Sequence, residues 1–313
     1  MSGERVLITC RQMQNCIDEF MPLLRQHDFE LVLPDIVQQL SEDELIAIIG
    51  DFDGMIAGDD PLSARVLEHA RRMRVISKWG IGIDGIDVEA ARGMGITVVN
   101  TPAVFGGEVA DVALGYVVML ARQLHRIDAS VRAGGWFKHE GLSLAGKVLG
   151  IAGFGNIGQA VARRGQGFDM QVLAFDTADA ARTPAADAGV EVTTLEGLFQ
   201  RSDFLVLCAP LTSGSRHLAN AATLRLMRAG SFLINVGRGP LVDESALVDA
   251  LERGQVAAAA LDVFEREPLP LDSRLREFDQ CVFGSHNASN TREGVIRASA
   301  RAVDNLISGL ATG

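Results

Sequence analysis

The stretch Val148-Leu149-Gly150-Ile151-Ala152-Gly153-Phe154-Gly155-Asn156-Ile157-Gly158-Gln159-Ala160-Val161-Ala162-Arg163-Arg164 decides the reading of the fold. It opens as an apolar run of strand character and breaks at three glycines spaced G-x-G-x-x-G. Ile157, Ala160, Val161 and Arg164 then recur at helical spacing. Strand, glycine turn and helix in this order make a dinucleotide-binding fingerprint. Gly153 is expected to make the tight turn, Gly155 to let a pyrophosphate approach the backbone, and Gly158 to let helix and strand pack closely. The helix start at Asn156-Ile157 offers unpaired N–H groups and partial positive charge to the phosphates.

Working outward, the stretch sits inside an alternating series. After it, strands are expected at Gln171–Phe175, Phe204–Cys208, Ser231–Asn235, Ala257–Val263 and Cys281–Phe283, with helices between them. Together with Val148–Ala152 they suit a doubly wound nucleotide-binding sheet of six strands. Before it, strand candidates at Val6–Cys10, Glu30–Leu33, Gly54–Ala57, Val75–Ser77 and Thr97–Val99 alternate with helical spacing at Gln14–Gln26, Ser41–Ile49, Leu62–Arg72 and Val88–Arg92. This predicts a second α/β unit with a parallel sheet. Ser41 and Glu44 form a capping box. A long helical pattern from Glu108 carries Val109, Val112, Ala113, Tyr116, Val117 and Leu120 on one stripe, and Gly134-Gly135 ends it. The closing helical segment Thr291–Leu310 is assigned to the first unit. The predicted domains are therefore 1–100 plus 288–313, and 101–287 between them.

The chain as a whole fits this plan. Its 313 residues suggest about two domains, and a composition of 48% hydrophobic and 22% charged residues supports a sizeable core. A net charge of −11 and a pI near 5.0 argue against a nucleic-acid partner, which calls for a clustered basic face. Cys10, Cys16, Cys208 and Cys281 form no CxxC pair and no metal-ligand spacing, so no metal is expected and reduced thiols in the cytoplasm are. Val6–Cys10 is too short for a signal segment, and no apolar run reaches membrane-spanning length.

The run Gln171–Phe175 ends in Asp176, about 20 residues past the fingerprint, where an acidic side chain meets the adenosine ribose. A carboxylate there accepts from the ribose hydroxyls and repels a 2′-phosphate. Thr177 follows, not an arginine, which favours NAD over NADP.

Three further stretches place polar residues where a strand hands over to a loop, the ligand-binding edge of open α/β sheets. In Asn235-Val236-Gly237-Arg238-Gly239-Pro240 an arginine stands between two glycines, suited to bidentate capture of a carboxylate. Ala260-Leu261-Asp262-Val263-Phe264-Glu265-Arg266-Glu267-Pro268 brings carboxylates. Gly284-Ser285-His286-Asn287-Ala288 brings a histidine, the side chain most easily poised near neutral pH.

With these residues the chain resembles the D-2-hydroxyacid dehydrogenases, the family of phosphoglycerate dehydrogenase and the glyoxylate/hydroxypyruvate reductases. The likeness runs from Val75 to about Ala288. It covers Lys78-Trp79-Gly80-Ile81-Gly82-Ile83-Asp84-Gly85-Ile86-Asp87, Asn100-Thr101-Pro102, Val109-Ala110-Asp111, Leu144-Ala145-Gly146-Lys147, the glycine fingerprint, Ala209-Pro210-Leu211-Thr212, Asn235-Val236-Gly237-Arg238-Gly239 and Leu261-Asp262-Val263-Phe264. The resemblance implies two doubly wound parallel-sheet domains, a Rossmann NAD-binding domain inserted into a flavodoxin-like substrate domain. It implies hydride transfer between NAD and a 2-keto/2-hydroxy acid pair. Arg238 matches the arginine that binds the substrate carboxylate and polarises the reacting carbonyl. His286 matches the acid/base, Glu267 the carboxylate that raises its pKa, and Asp262 a residue near the nicotinamide carboxamide. Gly80-Ile81-Gly82 matches the loop whose N–H groups hold the substrate carboxylate, with Lys78 beside it. Ala209, Pro210, Thr212, Val236 and Gly237 join the cofactor set. A homodimer built around the helix from Glu108 is also implied.

Two departures stand out. Ser285 occupies the place before the histidine where the family often has proline, and Asn287-Ala288-Ser289-Asn290 replaces a glycine-rich tail. The loop Ala57-Gly58-Asp59-Asp60-Pro61 carries two acids where the phosphoglycerate enzymes tend to carry an arginine, so a smaller 2-keto acid is favoured over 3-phosphoglycerate. Two alternatives share the architecture. One is a non-catalytic NAD-sensing corepressor; the other is formate dehydrogenase, which pairs its histidine with glutamine and so fits Glu267 poorly.

Overall fold

A computed structural model of the chain describes residues 3–178 and 181–311. Two compact units emerge, one formed by Met1–Phe105 with Asn290–Gly313 and the other by Gly106–Ser289. Each crossing falls a few residues later than the expected boundaries at 100 and 287, for a local reason. The Thr101 N–H donates to the Gly80 carbonyl and the Gly80 N–H to the Thr101 hydroxyl, Arg297 donates to the Val104 carbonyl, and Trp79 packs on Phe105, which ties residues 100–105 to the first unit. The Ala288 N–H is held by Asp262, which keeps it in the second.

In the first unit, β1 (Arg5–Ile8), β2 (Glu30–Val32), β3 (Gly54–Ala57), β4 (Val75–Lys78) and β5 (Thr97–Val99) form a parallel sheet in the order β2-β1-β3-β4-β5. The central strands β3 and β4 are buried along their whole length, as a parallel sheet covered on both faces requires. The helix Arg292–Ala311 covers one face. Gly309 lies so close to Val75 that a Cβ would stand 2.4 Å from its side chain, and Ser77 donates to the Ala302 carbonyl at 2.9 Å. Leu45, Ile49, Leu62, Val66 and Leu67 fill the core on the other side. The Ser41 capping box forms and starts the helix Glu42–Ile48.

The second unit holds β6 (Val148–Ala152), β7 (Gln171–Phe175), β8 (Glu191–Val192), β9 (Phe204–Leu207), β10 (Ser231–Asn235), β11 (Val256–Leu261) and β12 (Val282–Phe283). Their order, β12-β11-β10-β9-β6-β7-β8, reverses direction beside β6, and every pair is parallel. That reversal is the topological switch point at which doubly wound sheets bind nucleotides. The sheet has seven strands, not the six expected, because the edge strand β8 was not legible: it is two exposed residues long.

Three helical expectations are corrected. Gln14–Gln26 is not one helix; Arg11–Gln14, the 3-10 turn Ile17–Glu19 and Met21–Gln26 replace it. Pro22 lacks the N–H that a continuing helix requires and starts a new helix instead. The pattern from Glu108 begins at Gly106 and breaks at Gln123, whose φ of 52° is left-handed, separating Gly106–Arg122 from Leu124–Arg132. The Leu62–Arg72 pattern is helical only over Ala64–Leu67.

Candidate active site

The three fingerprint glycines meet three different constraints. Gly153 follows β6 with φ +94°, and a Cβ on it would stand 2.6 Å from the Ala209 Cα at the end of β9. Gly158, in the first turn of the helix Asn156–Gly167, would place a Cβ 2.1 Å from the Gly153 carbonyl oxygen. Gly155 has nothing within 4 Å of that position and is exposed. Two glycines are thus demanded by the protein's own packing and the third leaves open space at the helix N-terminus, where first-turn N–H groups and the helix dipole favour an anion. The Asn156 side chain packs against Gly106, and Ile157 is half-buried beside it.

Asp176, at the end of β7, accepts the Phe154 N–H on one carboxylate oxygen at 2.7 Å and the Ala178 N–H on the other at 2.8 Å. It therefore ties the glycine turn to the neighbouring strand end. A carboxylate has about four acceptor positions, so room remains for ribose hydroxyls. Beneath the turn the Cys208 thiol donates to the Gly153 carbonyl at 3.1 Å. Burial, with a smaller effect from Asp176, pushes its pKa up to about 12, so it stays neutral. Ala209 lies against Gly153. Pro210 and Thr212 lead a turn that Ser215 closes by accepting the Thr212 N–H at 2.8 Å.

Arg238 stands just past β10 in a turn fastened by the buried side chain of Asn235. That amide accepts the Gly237 N–H at 3.1 Å and donates to the Arg238 carbonyl at 2.9 Å. The Arg238 guanidinium reaches back to the Gly237 carbonyl at 3.0 Å, and Val236 is buried beneath. Gly239 is pressed so closely on the loop after β11 that a Cβ would sit 1.8 Å from the Phe264 oxygen. The arginine turn and the loop leading to Glu267 are therefore in backbone contact.

Glu267 and His286 are brought together, with Oε2 of the carboxylate 2.8 Å from Nδ1 of the ring. The other oxygen of Glu267 accepts the Phe264 N–H at 3.0 Å. The histidine has φ +54°, a sparsely populated conformation for a residue with a Cβ. Asp262 maintains it: its backbone oxygen takes the His286 N–H at 2.7 Å, and its two carboxylate oxygens take the Asn287 and Ala288 N–H groups at 3.2 and 2.9 Å. The Tyr116 hydroxyl donates to the same carboxylate at 3.3 Å. Asp262, expected near the nicotinamide carboxamide, is buried and also anchors the histidine loop.

In the first unit, the turn Gly80-Ile81-Gly82 follows β4. Asn100 donates to the Ile81 carbonyl at 2.6 Å, and the Gly80 N–H is committed to the Thr101 hydroxyl at 2.9 Å. Of the three N–H groups expected to serve a carboxylate, that of Gly80 is already in use, which leaves those of Ile81 and Gly82. Lys78 is buried at the root of this turn. Asn235, Tyr116, Thr101 and Asn100 support these elements; in the sequence Asn235, Asn100 and Thr101 are marked only by their place in short motifs, and Tyr116 only by its place on the helical stripe.

Comparison with known proteins identifies the family of the chain. The family described as D-isomer specific 2-hydroxyacid dehydrogenase, NAD binding domain, matches residues 114–288, more than half of the chain. The hydroxypyruvate reductase of Thermotoga maritima is 38% identical over 275 residues, covering 86% of this chain and 88% of that protein. The glyoxylate reductase of Thermococcus onnurineus is 36% identical over 310 residues, covering 95% and 91%. Among solved structures, the NADPH-dependent glyoxylate/hydroxypyruvate reductase of Sinorhizobium meliloti, in complex with NADP and malonate, matches with a TM-score of 0.86. It is 32% identical, and the match covers 100% of this chain and 95% of that one.

Proposed function

The chain belongs to the D-isomer specific 2-hydroxyacid dehydrogenases, and on that premise we propose that Arg238, Glu267 and His286 carry its chemistry. It is an NAD-dependent oxidoreductase that interconverts a 2-keto acid and the corresponding D-2-hydroxy acid. NADH, when bound, supplies the hydride.

The observation that carries the assignment is the Glu267–His286 contact. Glu267 engages Nδ1, which leaves Nε2 as the working atom of the ring. His286 donates its Nε2 proton to the keto oxygen during reduction and takes it back during oxidation. Arg238 binds the substrate carboxylate and stabilises negative charge developing on the oxygen. The Asn235 staple fixes the backbone from which the Arg238 guanidinium extends, which limits reorganisation during reaction. The Ile81 and Gly82 N–H groups supply further carboxylate donors, and Lys78 adds positive charge at their base.

The cofactor residues fit NAD. Gly155 is the open glycine at the helix start, and Asn156, Ile157, Ala209, Pro210, Thr212, Val236 and Gly237 border the same strand ends. Asp176 favours NAD over NADP because its carboxylate accepts from ribose hydroxyls and repels a 2′-phosphate. The substrate is a small 2-keto acid without phosphate, as the paired acids Asp59 and Asp60 suggest.

We assign a homodimer as the assembly. Val131, Trp136, Phe137 and Leu142, following the helix Gly106–Arg122, leave large apolar side chains exposed, Trp136 by 80%, which suits burial against a second copy. Four free thiols suit a reducing cytoplasm. Among the described residues, no helix is long and apolar enough to cross a membrane, and no group of three or more His, Cys, Asp or Glu is placed to hold a metal ion.

The test is NADH consumption by the purified protein with glyoxylate, hydroxypyruvate, pyruvate, 2-ketobutyrate and phenylpyruvate. Turnover yielding the D-isomer of a chiral product supports the assignment. Absence of turnover with all five overturns it. Light scattering in solution decides the dimer: a monomer at micromolar concentration removes that part of the reading.

A further inference from the structure

We infer that Tyr116 is a positioning residue for the reaction: its hydroxyl, acting through Asp262, holds the loop that carries His286 in register with the helix Gly106–Arg122. The inference rests on the proposed role of His286 as proton donor.

Tyr116 lies on the inward stripe of that helix, beside the buried Val109, Ala113, Val117 and Leu120. Phenylalanine or leucine would serve apolar packing alone. A phenol brings a polar atom into a half-buried position, where it calls for a partner. It has one: the hydroxyl donates to Oδ1 of Asp262, 146 positions away, at 3.3 Å. Gly284 shows how closely the two groups are enclosed. A Cβ on it would stand 2.1 Å from Asp262 Oδ1 and 2.4 Å from the Tyr116 oxygen. Its φ is not left-handed, so space and not backbone conformation calls for glycine there.

The identity of the donors shows what the hydroxyl adds. Asp262 is 2% exposed, and a carboxylate at that depth needs hydrogen-bond donors. Among the described residues it has three: the Asn287 N–H at 3.2 Å, the Ala288 N–H at 2.9 Å and the Tyr116 hydroxyl. The first two belong to the histidine loop itself. With those alone, carboxylate and loop could turn together about the Asp262 side-chain bonds. The Tyr116 hydroxyl is the donor from another element, and it refers the carboxylate to a helix packed on β10 and β11.

His286 is where this matters. Its φ of +54° is a conformation that persists only where surrounding contacts hold it, and its N–H is taken by the Asp262 carbonyl at 2.7 Å. Proton transfer depends steeply on donor–acceptor geometry. A slightly displaced ring still admits substrate but delivers its proton more slowly.

The test is single-turnover NADH oxidation with hydroxypyruvate, which separates the chemical step from product release. It is run on the full chain unmodified, with Tyr116→Phe, with Gly284→Ala and with both. Tyr116→Phe removes one oxygen and leaves the ring packed. Its rate constant should fall about fivefold or more, the scale of one lost hydrogen bond, while the NADH dissociation constant and the dependence on keto-acid concentration stay within about twofold. The rate should also become more sensitive to heavy water, as proton delivery comes to limit it. Gly284→Ala drives a methyl between the same two groups and should slow the same step. The double variant should lose less than the product of the two single losses, because both substitutions act on one contact. Tyr116→Phe decides alone if Gly284→Ala does not fold. A Tyr116→Phe rate within about twofold of the unmodified protein overturns the inference, even with a lowered melting temperature, and makes the contact structural only. Losses that multiply in the double variant overturn it too, as does a Tyr116→Phe loss traced to weaker NADH binding. These results leave the dehydrogenase assignment standing. An unmodified protein that consumes no NADH with hydroxypyruvate or glyoxylate removes both.

Discussion

Oε2 of Glu267 lies 2.8 Å from Nδ1 of His286, while Oε1 of the same carboxylate takes the Phe264 N–H at 3.0 Å. Because both oxygens are engaged, neither the carboxylate nor the ring can turn without breaking a bond. Glu267→Gln keeps the shape but loses the charge that favours the imidazolium. On the proposed role of His286 as proton donor, the alkaline limb of kcat/KM for keto-acid reduction should move to lower pH, with kcat reduced by about 10²-fold. A pH–rate profile whose limb stays in place would reduce Glu267 to a structural brace.

Gly158 and Gly155 should respond differently to the same methyl. Gly158→Ala puts a Cβ 2.1 Å from the Gly153 oxygen and forces the helix away from the strand, at a cost of about 1–3 kcal/mol or more in thermal unfolding. Gly155→Ala meets no protein atom within 4 Å and should leave the melting temperature nearly unchanged. Its methyl instead fills the approach to the helix N-terminus, so NADH affinity measured by fluorescence titration should fall at least about tenfold. Equal melting losses for both variants would contradict the distinct roles.

Asp176→Ala should relax discrimination against NADPH by about tenfold or more, because the repulsion of a 2′-phosphate disappears. It also releases the Phe154 and Ala178 N–H groups, so a stability loss of about 1 kcal/mol should accompany it. Stability lost with coenzyme preference unchanged would mark Asp176 as a turn brace only.

Tyr116 is the single tyrosine of the chain, which makes it readable by ultraviolet titration. Burial first, and the charge and hydrogen bond of Asp262 next, push its ionisation above the ordinary tyrosine range. The folded protein should show no tyrosinate absorbance as pH passes about 10, while the unfolded chain ionises there. The raised pKa sets the sign. Its contribution to stability is full below about 10 and is lost as pH climbs toward the folded value. Tyr116→Phe should remove this alkaline dependence and cost about 1 kcal/mol at neutral pH. Ordinary titration near pH 10 in the native protein would contradict the Tyr116–Asp262 contact.

The parts of the fold legible in sequence are those whose signal is local. β3, β9 and the middle of β10 read as strands because burial on both faces makes their residues continuously apolar or small. β8 gave no such signal, since its two residues are exposed at the sheet edge. The breaks at Pro22 and Gln123 interrupt patterns whose apolar spacing runs on past them; the first has a cause in the sequence and the second does not. The same division holds at the site. Arg238, Glu267 and His286 announce themselves by residue type at strand ends. The geometry that holds them depends on distant pairings, such as Tyr116 with Asp262, 146 positions apart, which no local spacing encodes.

The most direct test of the account is keto-acid-dependent NADH consumption by Arg238→Ala, with NADH affinity measured on the same preparation. If Arg238 binds the carboxylate and stabilises the developing charge, kcat/KM for hydroxypyruvate should fall by about 10²–10³-fold while the NADH dissociation constant stays within about threefold. A variant that keeps more than about a tenth of wild-type kcat/KM, or that loses NADH binding along with turnover, would contradict the assignment of Arg238 to the substrate.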